Sequence, residues 1–332
     1  MSPPIQLLSP QIVNLIAAGE VIDSLAAVVR ELVENAIDAE ATRLTISLFP
    51  ELWQVKVADN GKGMSKENLR NCAKAHHTSK IGNLDDLWKI TSLGFRGEAL
   101  SSITQVGELN IKSRCATENT VGWSVDYNQQ GETTKEETTA IAPGTIVTAS
   151  NLFGKIPIRR QGLPAFSQQL KAIQGIIENM SLCHPQITWQ VQSENKSWLN
   201  ISPGKTPQQI LPQLLQRVHL HDLQFVSDTL ETPSEMEASM ELVVGSPDRC
   251  HRSRCDWVKI AVNGRVVRSP QLAQTVLAAF SRTLPKGRFP VCFLHLRIPP
   301  SQIDWNRHPA KTEIYLHSLE FWQEKTTEII EK

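Results

Sequence analysis

The chain has 332 residues, 40% of them hydrophobic and 20% charged, with 34 Lys and Arg balancing 34 Asp and Glu. That length implies about two domains, and the composition is that of a globular chain. Runs of roughly 18 apolar residues are absent, which excludes an apolar membrane-spanning helix, and residues 1–10 lack the basic-then-apolar pattern of a secretion signal.

Residues 24–39 form the first element with a strong signal. Leu25, Val28, Val29, Leu32, Val33, Ala36 and Ile37 recur at helical spacing and make one apolar face. Glu31, Asn35 and Asp38 fall on one stripe at the border of that face. Read alone, such a stripe is equally the solvated edge of a surface helix. Two alternating runs follow, Leu44, Ile46, Leu48 and then Trp53, Val55, Val57, with a connection short enough for an antiparallel hairpin.

Residues 59–98 are rich in Gly, Ser, Thr and Asn and read as loops with short helices. Asp59-Asn60-Gly61-Lys62-Gly63-Met64 puts a carboxylate acceptor at a strand end, beside glycines that let a flat ring approach the backbone. The same residue types favour plain turns. Next come His76-His77-Thr78-Ser79-Lys80-Ile81 and Gly94-Phe95-Arg96-Gly97-Glu98-Ala99-Leu100, the latter leading into a helical pattern. Glycines around a basic residue before a helix suit phosphate binding by backbone N–H groups.

Further strands are expected near 108–113, 121–127 and 145–150, a helix near 165–180, and strands near 186–192 and 240–244. A Pro/Gly break at 202–207 divides the chain into residues 1–205 and 206–332. The second part is expected to hold a strand over 258–262, a turn at Asn263-Gly264, a helix over 271–281 and a strand over 291–298. Both parts read as α+β, with helices on one face of a mainly antiparallel or mixed sheet.

Charge is unevenly placed. Residues 222–248 hold seven acids and no Lys or Arg, whereas 249–297 hold ten Lys or Arg and only Asp256 as an acid. Such a block points to a polyanion partner, or to pairing between the two blocks within one fold. Arg265, Arg268, Arg282, Lys286 and Arg288 are the candidates for duplex backbone contacts, with Arg159 and Arg160 as further ones.

Two motifs read as decoys. Pro203-Gly204-Lys205-Thr206 resembles the end of a P-loop, but Leu199 stands where the first glycine belongs and no strand-to-helix turn is expected there. Cys250, His251 and Cys255 have no second ligand pair, so free thiols are expected instead of zinc.

The segments around Glu31, Asp59, His76 and Gly94, taken in this order, resemble the GHKL (Bergerat-type) ATPases. Ile16-Ala17-Ala18-Gly19-Glu20-Val21, Glu31-Leu32-Val33-Glu34-Asn35, Val262-Asn263-Gly264-Arg265 and Asp304-Trp305-Asn306-Arg307-His308-Pro309-Ala310-Lys311 narrow this to the MutL mismatch-repair family, over about residues 5–321. The resemblance implies a Bergerat-type α/β sandwich followed by a smaller α/β domain of the ribosomal-S5-like type. It implies ATP and Mg²⁺ as ligands, with Glu31 as general base and Asn35 as the Mg²⁺ ligand. Asp38 supports the site, Asp59 accepts the adenine amino group, and Gly63 and Thr145 flank the base. Thr78 and Lys80 belong to a lid, and Leu93, Gly94, Phe95, Arg96 and Gly97 wrap the triphosphate. Lys311, in the second domain, reaches the γ-phosphate. Trp305 and Arg307 depart from the family pattern, as does the stretch from Pro157 to Leu163.

The implied function is a slow, Mg²⁺-dependent ATPase of mismatch repair. Its implied partners are double-stranded DNA, a MutS-type mismatch-recognition protein and a second copy of itself. A C-terminal dimerisation domain is expected beyond this stretch, and the location is cytoplasmic, on the nucleoid in a bacterium. The alternative is an ATP-binding clamp or adaptor with little turnover.

Overall fold

The computed structural model describes residues 6–83, 85–86, 89–117, 121–194, 196–304 and 314–331. The chain folds as two compact units. The first comprises Met1–Gly82, Ser92–Ile176 and Thr188–Asn200, and the second Asn83–Thr91, Ile177–Ile187 and Ile201–Lys332.

The first unit begins with helices α1 (Pro10–Val21) and α2 (Leu25–Asp38), then strands β1 (Arg43–Phe49) and β2 (Gln54–Asp59). Helices α3 (Lys66–Asn71) and α4 (Ala99–Val106) precede strands β3 (Glu108–Arg114), β4 (Gly122–Tyr127), β5 (Thr133–Thr139) and β6 (Gly144–Ser150). Helices α5 (Pro157–Gly162) and α6 (Phe166–Cys183) lead to β7 (Thr188–Ser193) and β8 (Lys196–Ile201). The eight strands form one mixed sheet in the order β5-β4-β3-β6-β2-β1-β7-β8.

Helix α2 packs on β1, β2 and β6. Its Val28, Val29, Leu32 and Val33 are buried, as are Leu44, Ile46 and Leu48 of β1 and Val55 and Val57 of β2. The β1–β2 pair is antiparallel with Ile46 opposite Val57, the expected hairpin. Trp53 falls outside it. With φ of 48° it sits in the connecting turn, and the Arg160 guanidinium lies 4.5 Å from its ring centroid. Strand β1 also pairs in parallel with β7, Ile46 opposite Val191.

The entry to α2 is fixed locally. Ser24 has extended backbone and its Oγ accepts the Ala27 N–H at 3.1 Å, closing one of the free amides of the first turn.

The second unit holds α7 (Pro207–Leu214), β9 (Leu223–Glu231), β10 (Glu237–Gly245), β11 (His251–Arg252), β12 (Val258–Val262) and β13 (Arg265–Val267). After α8 (Pro270–Ala279) come β14 (Phe289–Pro290), β15 (Cys292–Arg297), β16 (Ile303–Asp304), β17 (Tyr315–Leu316) and α9 (Leu319–Glu331). Its five-stranded sheet has the order β13-β12-β15-β10-β9. Ile260, Val262, Leu294 and Leu296 from the sheet pack with Leu272, Val276 and Trp322 of α8 and α9.

Among the described residues no single helix is long and apolar enough to cross a membrane, and the cysteines are free. Removing the helix cap by Ser24→Ala is expected to cost about 1 kcal/mol, measured by urea denaturation. Unchanged stability would mean that packing alone sets the start of α2.

Candidate nucleotide site

Two clusters in the first unit meet at the C-terminal end of α2. The first is built on the end of β2. Asp59 is its last residue, paired with Thr145 on β6. The Asp59 carboxylate accepts the Gly61 N–H at 2.8 Å, and a backbone hydrogen bond links it to Thr145. Burial nevertheless dominates and raises its pKa to about 6.

The loop after Asp59 lies against α2 and β3. Lys62 N–H donates to Ala39 O at 2.9 Å, next to Asp38, and Ala116 N–H donates to Lys62 O at 2.8 Å. Gly63 has φ of 67°, and a Cβ there would lie 1.9 Å from the Arg114 carbonyl oxygen, so no side chain fits. Met64 N–H donates to Ser113 Oγ at 2.9 Å, and Ser113 Oγ in turn lies 2.9 Å from Thr145 Oγ1. Ser113 was legible only as the polar member of the buried alternation Leu109, Ile111, Ser113, and the sequence reading passed over it.

The second cluster is built on α2 itself. Asp38 Oδ1 accepts the Leu93 N–H at 2.8 Å, and Oδ2 accepts the Gly94 N–H at 3.0 Å. Lys80 Nζ donates to Asp38 Oδ2 at 2.5 Å and to Asn35 Oδ1 at 3.2 Å. Thr78 steadies that lysine's backbone, its Oγ1 accepting the Lys80 N–H at 3.2 Å. Glu31, one turn earlier than Asn35, is 14% exposed and 3.3 Å from Arg30 Nε. Glu34, in the same motif, is 1% exposed, a buried acid that its position within the polar motif did not signal.

The glycine loop continues with Phe95 buried and the Arg96 guanidinium 5.8 Å from its ring centroid. Gly97 has φ of 63° and would place a Cβ 2.6 Å from His77 O. Its carbonyl accepts the His76 N–H at 3.1 Å, and His76 Nδ1 lies 3.6 Å from Glu98. The two histidines thus tie the lid segment to the glycine loop. Among the described residues no group of three or more His, Cys, Asp or Glu is placed to hold a metal ion.

Glu31, Asn35, Asp38, Lys80, Leu93, Gly94, Phe95, Arg96 and Gly97 therefore lie in or beside one cluster, and Asp59, Gly63 and Thr145 in the other. Lys311, Trp305 and Arg307 lie outside the described residues.

The second unit alters the reading of two motifs. Asn263-Gly264 makes the β12–β13 turn with φ of 46° and 83°. Asn263 Oδ1 accepts the Ile298 N–H at 2.8 Å and its Nδ2 donates to Ile298 O at 2.7 Å. Gly264 N–H donates to the buried His295 Nε2 at 3.0 Å. Burial lowers the His295 pKa, and the accepting Nε2 fits a neutral ring. Glu241 beside it is pulled down to about 2 by His295 and Arg297. Arg265, expected on a DNA-facing surface, is only 5% exposed. Its guanidinium follows the core side of a two-residue hairpin, so it presents no charge to solvent. Arg268, Arg282, Lys286 and Arg288 are exposed.

The stretch Pro203 to Thr206 does lie between a strand and a helix, β8 and α7, contrary to expectation. Its amides are engaged all the same. Gly204 N–H donates to Pro185 O at 2.7 Å and Lys205 N–H to Gln209 Oε1 at 2.7 Å. No phosphate cradle remains.

A helix carrying Glu31 and Asn35 over a mixed sheet, an acid at a strand end and a glycine loop into α4 define a GHKL-type nucleotide-binding fold. Residues 23–151 match the family described as histidine kinase-, DNA gyrase B-, and HSP90-like ATPase, and residues 218–332 match the DNA mismatch repair protein, C-terminal domain. DNA mismatch repair protein MutL of Crocosphaera subtropica is 79% identical over 332 residues, which is all of this chain and 60% of that protein. MutL of Rippkaea orientalis is 67% identical over 336 residues, again covering 100% of this chain and 60% of the relative. A crystal structure of the N terminal domain of a DNA repair protein aligns with a TM-score of 0.78 at 25% identity, over 95% of this chain and 96% of that one. The Aquifex aeolicus MutL ATPase domain complexed with ADP shares the fold, with a TM-score of 0.65 at 19% identity over 94% of this chain and 98% of that one. The chain belongs to the MutL family of DNA mismatch-repair proteins, and it spans 60% of the length of these full-length relatives.

Folding raises the Asp59 carboxyl from 3.8 to about 6. The folded state therefore favours the protonated form. This group's contribution is most favourable below about pH 4 and declines as pH rises through 6. Relative to Asp59→Asn, the wild type is expected to lose about 2–3 kcal/mol of stability between pH 4 and pH 8. Urea denaturation across that range measures it, and parallel pH profiles would count against a buried, perturbed acid.

Proposed function

We propose that this chain is the ATP-driven N-terminal region of a mismatch-repair protein, cytoplasmic and acting on DNA. The observation that carries the reading is the junction at the end of α2. There a linked cluster of Asp59, Gly63, Ser113 and Thr145, on the adenine side, adjoins a phosphate-side row of Glu31, Asn35 and Asp38 through the Lys62 N–H to Ala39 O bond, at 2.9 Å.

In this reading Asp59 selects adenine by accepting its exocyclic amino group, and the side chain missing at Gly63 lets the loop after Asp59 pack directly on the Arg114 carbonyl. Glu31 takes the proton from the attacking water. Asn35 holds Mg²⁺ through its amide oxygen. The residues fit a cation, since Asn35 Oδ1 and Asp38 Oδ2 already share the Lys80 ammonium. When bound, the metal would be held by Asn35 and would neutralise charge on the phosphates. Lys311 supplies a further positive charge at the γ-phosphate and links nucleotide state to the second domain.

Nucleotide binding then orders the lid and favours association of two N-terminal halves. Helix α1 supports the self-association, because Ile12, Val13 and Ile16 are 47–54% exposed. A MutS-type protein is the partner upstream. Duplex DNA is held through its phosphates by Arg268, Arg282, Lys286 and Arg288, which form no ion pair among the described residues. Other members of the basic block pair internally, Arg297 with Glu241 at 2.7 Å and Arg249 with Asp248 at 3.3 Å.

Glu31→Ala is expected to lower ATP turnover by at least about 100-fold while ADP affinity changes by less than about threefold. Turnover equal to wild type would remove Glu31 from the reaction and favour a clamp with little catalysis. For DNA, log affinity is expected to fall linearly with log salt, and Arg282→Ala with Arg288→Ala is expected to reduce that slope by about 2. Salt-independent binding would sink the phosphate-contact reading.

A further inference from the structure

Lys80 holds a position that conflicts with the metal role of Asn35. Its Nζ sits on Asn35 Oδ1 at 3.2 Å and on Asp38 Oδ2 at 2.5 Å, with the side chain 23% exposed. A Cβ built on Gly94 would lie 3.3 Å from Lys80 Nζ, 3.4 Å from Asn35 Oδ1 and 3.7 Å from Asp38 Oδ2. The ammonium, the amide oxygen, the carboxylate and the Gly94 backbone therefore share one small volume.

An asparagine side chain has one oxygen with which to ligate a hard cation. A divalent ion on Asn35 Oδ1 would meet the ammonium at a separation where like charges repel strongly in a half-buried site. The two cations cannot share that oxygen.

Asp38 explains why the lysine stays there. Its carboxylate is fixed from the other side by the Leu93 and Gly94 amides at 2.8 and 3.0 Å. These two bonds orient Oδ2 toward Lys80. Asp38 thus acts as a positioning residue for both the glycine loop and the ammonium.

We propose that Lys80 is a built-in competitor of the metal, held on Asn35 by Asp38 and displaced when metal and nucleotide bind together. The inference rests on the reading of Asn35 as the metal ligand. It makes the lid sensitive to the metal as well as to the nucleotide, because Lys80 is part of the lid segment. Release of the ammonium breaks one link between that segment and α2.

The test is the Mg²⁺ concentration that half-maximally strengthens ADP binding, read by calorimetry or by a fluorescent ADP analogue. Lys80→Met is expected to lower that midpoint about tenfold, the worth of one charged hydrogen bond, and to tighten ADP binding at saturating Mg²⁺. Lys80→Arg keeps the cation and is expected to stay near wild type. If Lys80→Met leaves the midpoint unchanged, or weakens ADP binding both with Mg²⁺ and with EDTA, Lys80 is a phosphate ligand only and the competition is overturned. If wild type binds no ADP, or binds it equally with Mg²⁺ and EDTA, the nucleotide-and-metal reading itself fails.

Discussion

The Asp38 carboxylate organises the phosphate side of this site. One of its oxygens accepts the Leu93 N–H, and the other accepts the Gly94 N–H and the Lys80 ammonium. Both oxygens are used, and three donors from different segments hold the carboxylate in one orientation. Two segments separated in sequence, the lid around Lys80 and the glycine loop, are thereby fixed to one helical position. Without that acid the loop would lose both of these backbone bonds to α2, which restrain its Gly94.

The same helix couples the two halves of the site by simple continuity. Its apolar face is buried on the sheet, which fixes its rotation. Its polar row then runs along a single line from Glu31 to Asp38, and Ala39, just past its last residue, receives the loop that follows Asp59. A shift of α2 would move Glu31, Asn35 and the loop after Asp59 together. The helix thus keeps Glu31 and Asp59 in register with loops that are themselves irregular.

How much of this was readable in the sequence depends on whether a residue's role showed in its pattern. Helix α2 and the β1–β2 pair were legible because each has one apolar face and a clear period. Strand β5, Thr133–Thr139, was not, since an edge strand with exposure on both faces carries no apolar alternation. Strand β9 was hidden for a related reason, its weak alternation lying inside the acidic block. Helix α1 escaped as an element because its apolar residues are not confined to one side, and several stay exposed. Trp53 looked like a strand residue by its spacing, yet the tight connection demands a positive φ, and the turn took it.

Charge was the least reliable guide to place. Arg265 sits in the most basic stretch of the chain but is buried, because hairpin geometry after Asn263-Gly264 decides its direction before solvation can. The sequence reading took Lys80 simply as a lid residue, yet its ammonium rests on two α2 side chains. In each case the sign of the charge was plain and its partner was not. A partner is a tertiary fact, set by which loop reaches which helix, and here it decides the chemistry. Under the proposed role of Asn35 as a metal ligand, the ammonium makes that ligand a contested one, and the strength of the site for its cation then depends on a residue 45 positions away along the chain.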